Sequence, residues 1–400
     1  MRIRHSLLEH KLYRNFKLMF WVQALIEVKV INVISTLFYL YRGLSLTQIF
    51  YTAIIFSVVS LLSEVPSSYL ADKWGRKKVI ISAVLVSLIY WVVNIFAWSF
   101  PIFVLAISLY AFANALISGT DEALIYDTSK QLKIENFSLK HLGNYYSARR
   151  IFKMIVPLLA VLIAHNLTNF QYIFVLSIDV VTTSIAVIIS FFLTEPHHSM
   201  EVEQIEAGVL KDALKLFRQN TNLLRIMFNK SLVFIAVFMF WRINSEYFTS
   251  RGVSLFYLGV ATSTYQFIIY GINRHIVKLL PRLVIEKRIN IINLFVAILL
   301  TTFFIFNFIG APNILLLIIF VFSLTAEMIR WPLFSEIINK VSSSYNRATT
   351  LSLANFLKSI LDIPLLFFAA YLVNLGYSYL FALMVILAFI PVLLFPLKHD

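Results

Sequence analysis

No cysteine occurs among the 400 residues, which removes disulfides, thiolate metal sites and cysteine nucleophiles at once. Charge is also scarce, with 14% of residues charged against 60% hydrophobic. A water-exposed surface needs more polar residues than that, so a soluble globule is excluded and a membrane protein remains. Glycine is used only 10 times, so few helix crossings can rely on its close approach, while 37 phenylalanines leave much of the surface to face lipid. No HExxH metal motif, nucleophile elbow or phosphate loop is present, and isolated histidines such as His165 and His275 lack partners at ligand spacing. The expectation is therefore no enzyme, no metal and no cofactor. Acidic residues are the scarcer sign, 20 against 34 basic, for a net charge of +14. The basic residues alternate with apolar runs and form no single patch, which argues against a nucleic-acid partner.

What is present is a succession of apolar runs. Arg2, Arg4, Lys11, Arg14 and Lys17 precede the first, which continues to about residue 41. It has neither the short core nor the small-residue cleavage site of a signal peptide and is expected to be a retained helix. Eleven more follow near 47–71, 79–98, 101–127, 144–165, 170–193, 226–249, 253–280, 288–308, 312–338, 347–372 and 376–397. Each is about the ~20 residues that cross a bilayer core of ~30 Å. The expected fold is an all-α membrane protein of 12 transmembrane helices in two six-helix bundles, 1–194 and 226–400. Between them 195–225 is a linker. Val209, Leu210, Ala213, Leu214 and Phe217 recur there at helical spacing, which predicts an amphipathic helix on the cytoplasmic membrane face. Two halves are also favoured by a repeat: Pro157-Leu158-Leu159 with Tyr172 and Phe174 aligns without gaps to Pro364-Leu365-Leu366 with Tyr379 and Phe381. Lys and Arg concentrate in the N-terminus and the even-numbered loops, so both termini of this multi-pass chain are expected in the cytoplasm.

One connection carries a specific pattern. Residues Glu64 to Lys78 read Glu-Val-Pro-Ser-Ser-Tyr-Leu-Ala-Asp-Lys-Trp-Gly-Arg-Lys-Lys between the second and third runs. This resembles the loop signature of the major facilitator superfamily of transporters, Gly-x-Leu-Ala-Asp-Arg-x-Gly-Arg-Lys. Leu70, Ala71, Asp72, Gly75, Arg76 and Lys77 match it, Lys73 replaces an arginine, and Ser68 stands where glycine is usual. The resemblance implies the family's fold, parallel six-helix halves around a midplane site. It also implies a cytoplasmic gate of Asp72, Gly75, Arg76 and Asp127, in which the loop aspartate meets the N-terminal end of the eleventh helix and the arginine bridges it to the fourth-helix acid.

Ionisable residues inside the spans cost roughly 2.5 to 3.5 kcal/mol each near a helix centre unless they face a cavity or a partner. Here the first span holds Glu27 and Lys29, the fourth Asp121 and Glu122, the seventh Arg242 and Glu246, and the tenth Glu327 and Arg330. In the family the chain resembles, these four helices line the central cavity, which makes the eight residues candidates for a substrate and proton cavity. Arg242 with Glu246, and Glu327 with Arg330, share a helix face and either neutralise themselves or serve the cavity. Glu27 and Lys29, two apart on a helix, are expected on nearly opposite faces and unable to pair. Asp121 and Glu122 have no base on their own span. Glu27, Asp121 and Glu122 are the candidates for proton or cation coupling.

Two departures from the family pattern bear on mechanism. The fourth-span arginine of many exporters is replaced by Ala115, with Arg149 and Arg150 as candidate substitutes otherwise expected at lipid headgroups or loops. The glycine-rich fifth-span motif of drug antiporters survives only as Pro157. The expected function is secondary active transport of a small molecule across the cell membrane by alternating access, with proton-coupled export of a hydrophobic or amphiphilic compound as the first reading. Nutrient uptake or facilitated diffusion is an alternative, and a non-transporting sensor or assembly partner of the same fold is another. The expected partners are the small-molecule substrate, protons and the lipid bilayer, and the expected unit is a monomer.

Overall fold

Apolar runs of this length satisfy their backbone hydrogen bonds within each segment, and the chain folds accordingly as helices. The computed structural model describes residues 2–134, 137–196, 221–274, 283–341 and 347–398, with only the backbone described at several positions, Asp72 among them. The linker helix expected within 195–225 falls almost wholly on 197–220, outside the described residues, as do His275 and the loop to 282. No strand occurs among the described residues. The α-helices are α1 (Arg2–Ile26), α2 (Ser35–Tyr41), α3 (Leu46–Trp74), α4 (Arg76–Phe96), α5 (Phe100–Ile117), α6 (Thr120–Gln131), α7 (Ser138–Ile151) and α8 (Val156–Ile163). They continue as α9 (Asn169–Phe191), α10 (Thr221–Ser250), α11 (Leu255–Arg274), α12 (Ile285–Phe308), α13 (Asn313–Val341), α14 (Arg347–Leu375) and α15 (Tyr377–Leu393).

Ten segments are long and apolar enough to cross a membrane, and α15 is a shorter apolar helix. The expected fifth span is α7 and α8, interrupted by a 3-10 turn at Phe152–Met154. The described helices are compatible with the twelve expected spans. The first and fourth spans are interrupted as well. α5 gives way to α6 at Gly119, whose φ of +76° suits a residue without a Cβ. α1 stops at Ile26, Lys29 takes the left-handed conformation (φ 40°, ψ 60°), and a 3-10 turn covers Val30–Ile34 before α2. Pro157 lies in the first turn of α8, where its missing N–H costs nothing, whereas Pro66 and Pro364 lie within unbroken helices.

By contact the chain divides into two compact units, Met1–Leu44 with Ile55–Gln204, and Ser45–Ile54 with Ile205–Asp400. The first packs α1, α4, α6, α7 and α9 around Met19, Val22, Ile80, Val84, Leu124, Tyr145 and Ala186. The second has an aromatic centre. Phe240 on α10 is ringed by Phe303 of α12 at 4.5 Å, Phe320 of α13 at 4.7 Å and Phe381 of α15 at 5.4 Å between centroids, all three contacts edge-on. Such pairs contribute about 0.5 to 1.5 kcal/mol each beyond burial. Phenylalanine is therefore not only a lipid-facing residue here, since it takes over the interior contacts that a glycine-poor chain cannot make by close approach. The start of α3 belongs to this unit through Thr47, which donates to Asn374 Oδ1 at 2.7 Å.

Candidate functional site

The interruption of the first span builds the polar centre of the first unit. Where the helical ladder stops, the N–H groups of Val30 and Ile31 have no carbonyl of their own, and both donate to the carboxylate of Asp179 on α9, at 2.7 and 3.2 Å. Asp179 is buried, and sequence reasoning missed it. The only signal was a lone aspartate in an apolar run. With the backbone reversed at Lys29, the expectation that Glu27 and Lys29 cannot meet fails, because it assumed a continuous helix. Lys29 Nζ lies 3.3 Å from Glu27 Oε1. The other Glu27 oxygen meets Lys153 Nζ at 2.8 Å, a residue from the fifth-span turn that the sequence did not single out.

A chain of contacts leads on from Glu27. Gln23 Nε2 donates to Glu27 Oε1 at 3.5 Å, the Tyr145 hydroxyl stands 2.6 Å from Gln23 Oε1, and the same hydroxyl is in contact with Asp121 Oδ2. Arg149, expected at lipid headgroups or loops, instead reaches this carboxylate, Nη2 to Asp121 Oδ2 at 3.5 Å. The α7 register explains it, since Tyr145 and Arg149 are four apart on one face. Between Glu27 and Asp121 there are thus three contacts to fill. The Gln23 amide supplies a proton in one direction only, and the Tyr145 hydroxyl supplies one. All three contacts are hydrogen bonds at once only when one of the carboxyl groups carries a proton.

The neighbouring acid goes elsewhere. Asp121 is buried, whereas Glu122 is exposed and takes a hydrogen bond from the Tyr146 hydroxyl. Successive helical residues point about 100° apart, so the two candidates share a position in sequence but not an environment. A pocket opens beside the chain, and Gln23, Glu27, Lys29, Tyr110, Asn114 and Arg149 are among its walls.

At the α3–α4 junction Arg76 Nε lies 3.7 Å from Asp127 Oδ2, the pair implied by the family resemblance. The side chain of Asp72 lies outside the described residues. The N-terminus of α4 is held by a residue that was not expected to act there. Glu195 accepts from the N–H groups of Arg76 at 2.8 Å and Lys77 at 2.7 Å, a carboxylate on the positive end of a helix. Gly75 is required for two reasons. Its φ is +93°, and a Cβ there would stand 2.9 Å from the Glu195 carboxyl carbon.

In the second unit Glu327 and Arg330 pair on α13, as their spacing allows, and both are buried. Arg330 Nη2 also donates to the Asn229 carbonyl at 2.7 Å, and Asn293 Nδ2 donates to Asn229 Oδ1 at 2.8 Å. A small pocket adjoins the pair, with Lys230, Phe234, Trp331 and Lys358 in its wall. Arg242 and Glu246 are not part of it. They lie twelve or more residues beyond Lys230 on α10, about 18 Å along the axis at ~1.5 Å per residue. No ion pair joins Arg242 to Glu246 among the described residues, and Glu246 Oε2 is buried without a hydrogen-bond partner there. Lys358 and Asp362, in contrast, do pair, at 2.5 Å.

A family model described as Major Facilitator Superfamily matches residues 19–363. Among curated proteins no sequence match was found. Solved structures similar in fold include a mutant of the nucleoside transporter NupG, at a TM-score of 0.76 and 14% identity, covering 96% of this chain and 98% of that one. A D-xylose-proton symporter follows at 0.72 and 14%, with 97% of each chain covered. A bacterial homologue of the human lysosomal transporter Spinster, inward-facing and unoccupied, is similar at 0.71 and 13%, with 96% and 95% covered. At these identities the likeness is one of fold.

Proposed function

Since the chain belongs to the major facilitator superfamily, we propose that it moves a small amphiphilic molecule out across the cell membrane by alternating access, in exchange for protons. The superfamily consists of secondary transporters, so the protein is a multi-pass membrane carrier with a small-molecule substrate, not an enzyme.

The observation that carries the coupling is the proton count between Glu27 and Asp121, where Gln23 and Tyr145 leave one contact to be filled by a carboxyl proton. Buried ionisable groups are expensive in a bilayer and are characteristic of proton relays. Glu27 and Asp121 are the coupling acids. Lys29 stands with Glu27 in the first unit's pocket and Glu327 with Arg330 in the second unit's, while Glu122, Arg242 and Glu246 lie outside both, and Asp72, Gly75, Arg76 and Asp127 form the cytoplasmic gate. The distribution of Lys and Arg supports cytoplasmic termini. The carrier works as a monomer.

The test is a pre-formed pH gradient in inside-out vesicles containing the protein, monitored while amphiphilic compounds and metabolites are added one at a time. Export predicts that a substrate collapses the gradient, and that Glu27→Gln vesicles show no collapse although the protein is folded and inserted. Collapse confined to right-side-out vesicles would reverse the direction to proton-driven uptake, the activity in the name of the similar D-xylose-proton symporter. Radiolabelled flux that ignores the gradient would overturn proton coupling.

A further inference from the structure

We infer that the pocket of the second unit binds the anionic group of an amphiphilic aromatic or aliphatic molecule, a carboxylate or phosphate ester, and that Lys230 is the residue that recognises it. This rests on the transport reading and narrows it to a substrate class.

Three cations converge on this pocket, Lys230 from α10, Arg330 from α13 and Lys358 from α14. Two already have acids. Arg330 is paired with Glu327, and Lys358 with Asp362. Lys230 has none. Among the described residues it makes no hydrogen bond or ion pair, and its Nζ rests 4.6 Å from the ring centroid of Trp331. A lysine within a membrane span that makes no salt bridge of its own is costly, and a pocket that keeps one invites an anion.

The remaining wall says what the anion is attached to. Phe234 and Trp331 meet edge-on at 5.9 Å, and Phe334 lies against the Arg330 guanidinium at 5.0 Å. Lys358 stands 5.0 Å from the Phe234 ring, so aromatic faces and cations alternate around the opening. Apolar walls with one surplus positive charge select an apolar body that ends in a single negative group. A cationic amphiphile would meet two lysines and an arginine and is excluded. In the first unit's pocket each cation is instead in direct contact with an acid, Lys29 and Lys153 with Glu27 and Arg149 with Asp121.

The experiment is equilibrium binding by calorimetry to the full-length protein in phosphatidylcholine nanodiscs, with phenylbutyrate as probe and phenylbutanol and phenylbutylamine as neutral and cationic counterparts. Phenylbutyrate is expected to bind about tenfold or more tightly than either counterpart, and Lys230→Gln to lose about tenfold in affinity for it, with Lys230→Arg retaining most of it. Nanodiscs that also contain phosphatidylglycerol distinguish the source of the anion. Unchanged affinity identifies a soluble substrate, and competition identifies a lipid headgroup as the occupant. Absence of phenylbutyrate binding, equal binding of phenylbutylamine or phenylbutanol, or an unchanged affinity in Lys230→Gln would overturn the inference. Binding requires neither gradient nor flux, so its failure leaves the vesicle result standing and is separable from failure of the transport reading.

Discussion

Asp179 and Val30 are 149 residues apart in sequence and 2.7 Å apart in space, carboxylate to backbone N–H. The contact makes the interruption of the first span affordable. It places Glu27 and Lys29 outside helical geometry, where their side chains can meet.

Replacement of Asp179 by alanine therefore leaves two buried N–H groups without an acceptor, at about 1 to 3 kcal/mol each. The variant is expected to unfold at a distinctly lower temperature in detergent. Asp179→Asn, which keeps one acceptor oxygen, should fall between the two. Equal melting temperatures for wild type and Asp179→Ala would show that the interruption holds without this support.

Tyr145→Phe removes the hydroxyl that stands between Gln23 and Asp121. The loss of one hydrogen-bonded group should cost about 1 kcal/mol in stability, which the fold tolerates. Proton coupling, however, loses its connection. Substrate flux should become less dependent on the pH gradient, as read by flux ratios with and without the gradient in the same vesicles. A wild-type ratio would remove Tyr145 from the relay.

Glu327 and Arg330 offer a test by separation. Removing either partner alone strands a buried charge, a loss of about 3 to 5 kcal/mol. Glu327→Leu and Arg330→Leu should each reduce the yield of folded protein. The double replacement should recover much of it while failing to restore transport. Single variants as stable as the wild type would mean that the pair is solvated and not buried as a unit.

Gly75→Ala forces a Cβ onto a backbone at φ +93° and against the Glu195 carboxyl at 2.9 Å. Left-handed or otherwise strained backbone alone costs a non-glycine residue about 1 to 3 kcal/mol. The expected outcome is loss of the Glu195 cap on α4, visible as faster amide exchange at Arg76 and Lys77. Exchange at the wild-type rate would show that the α3–α4 junction adapts.

The Arg76–Asp127 pair, distant in the chain, was legible only through the family resemblance, whereas the long apolar helices and the loop motif were legible in the sequence, because they depend on run length and on short fixed spacing. The Glu327–Arg330 and Lys358–Asp362 pairs were legible for the same reason, since three or four residues on an intact helix fix a shared face. The polar centre of the first unit was only half legible. Its acids stood out, but the rule applied to Glu27 and Lys29 presumes an unbroken helix, and the break is held by a residue on another span. Lys153, Arg149 and Tyr145 reach the centre from the fifth span, and which face of α7 turns inward depends on packing that periodicity in an apolar segment does not encode. Lys230 escaped notice because a single lysine near the start of a span resembles an ordinary interfacial residue.

Phe240 has one more consequence, and it concerns how the protein could be studied. A chain without cysteine offers mercury no thiolate, so the usual route to a heavy-atom label is closed. Phe240→Ala would leave a ring-sized void between Phe303, Phe320 and Phe381, at about 3 to 5 kcal/mol. A dry cavity walled by aromatic rings admits xenon or benzene, so the residue that fills the interior of the second unit also marks where an inert gas could be lodged as a label.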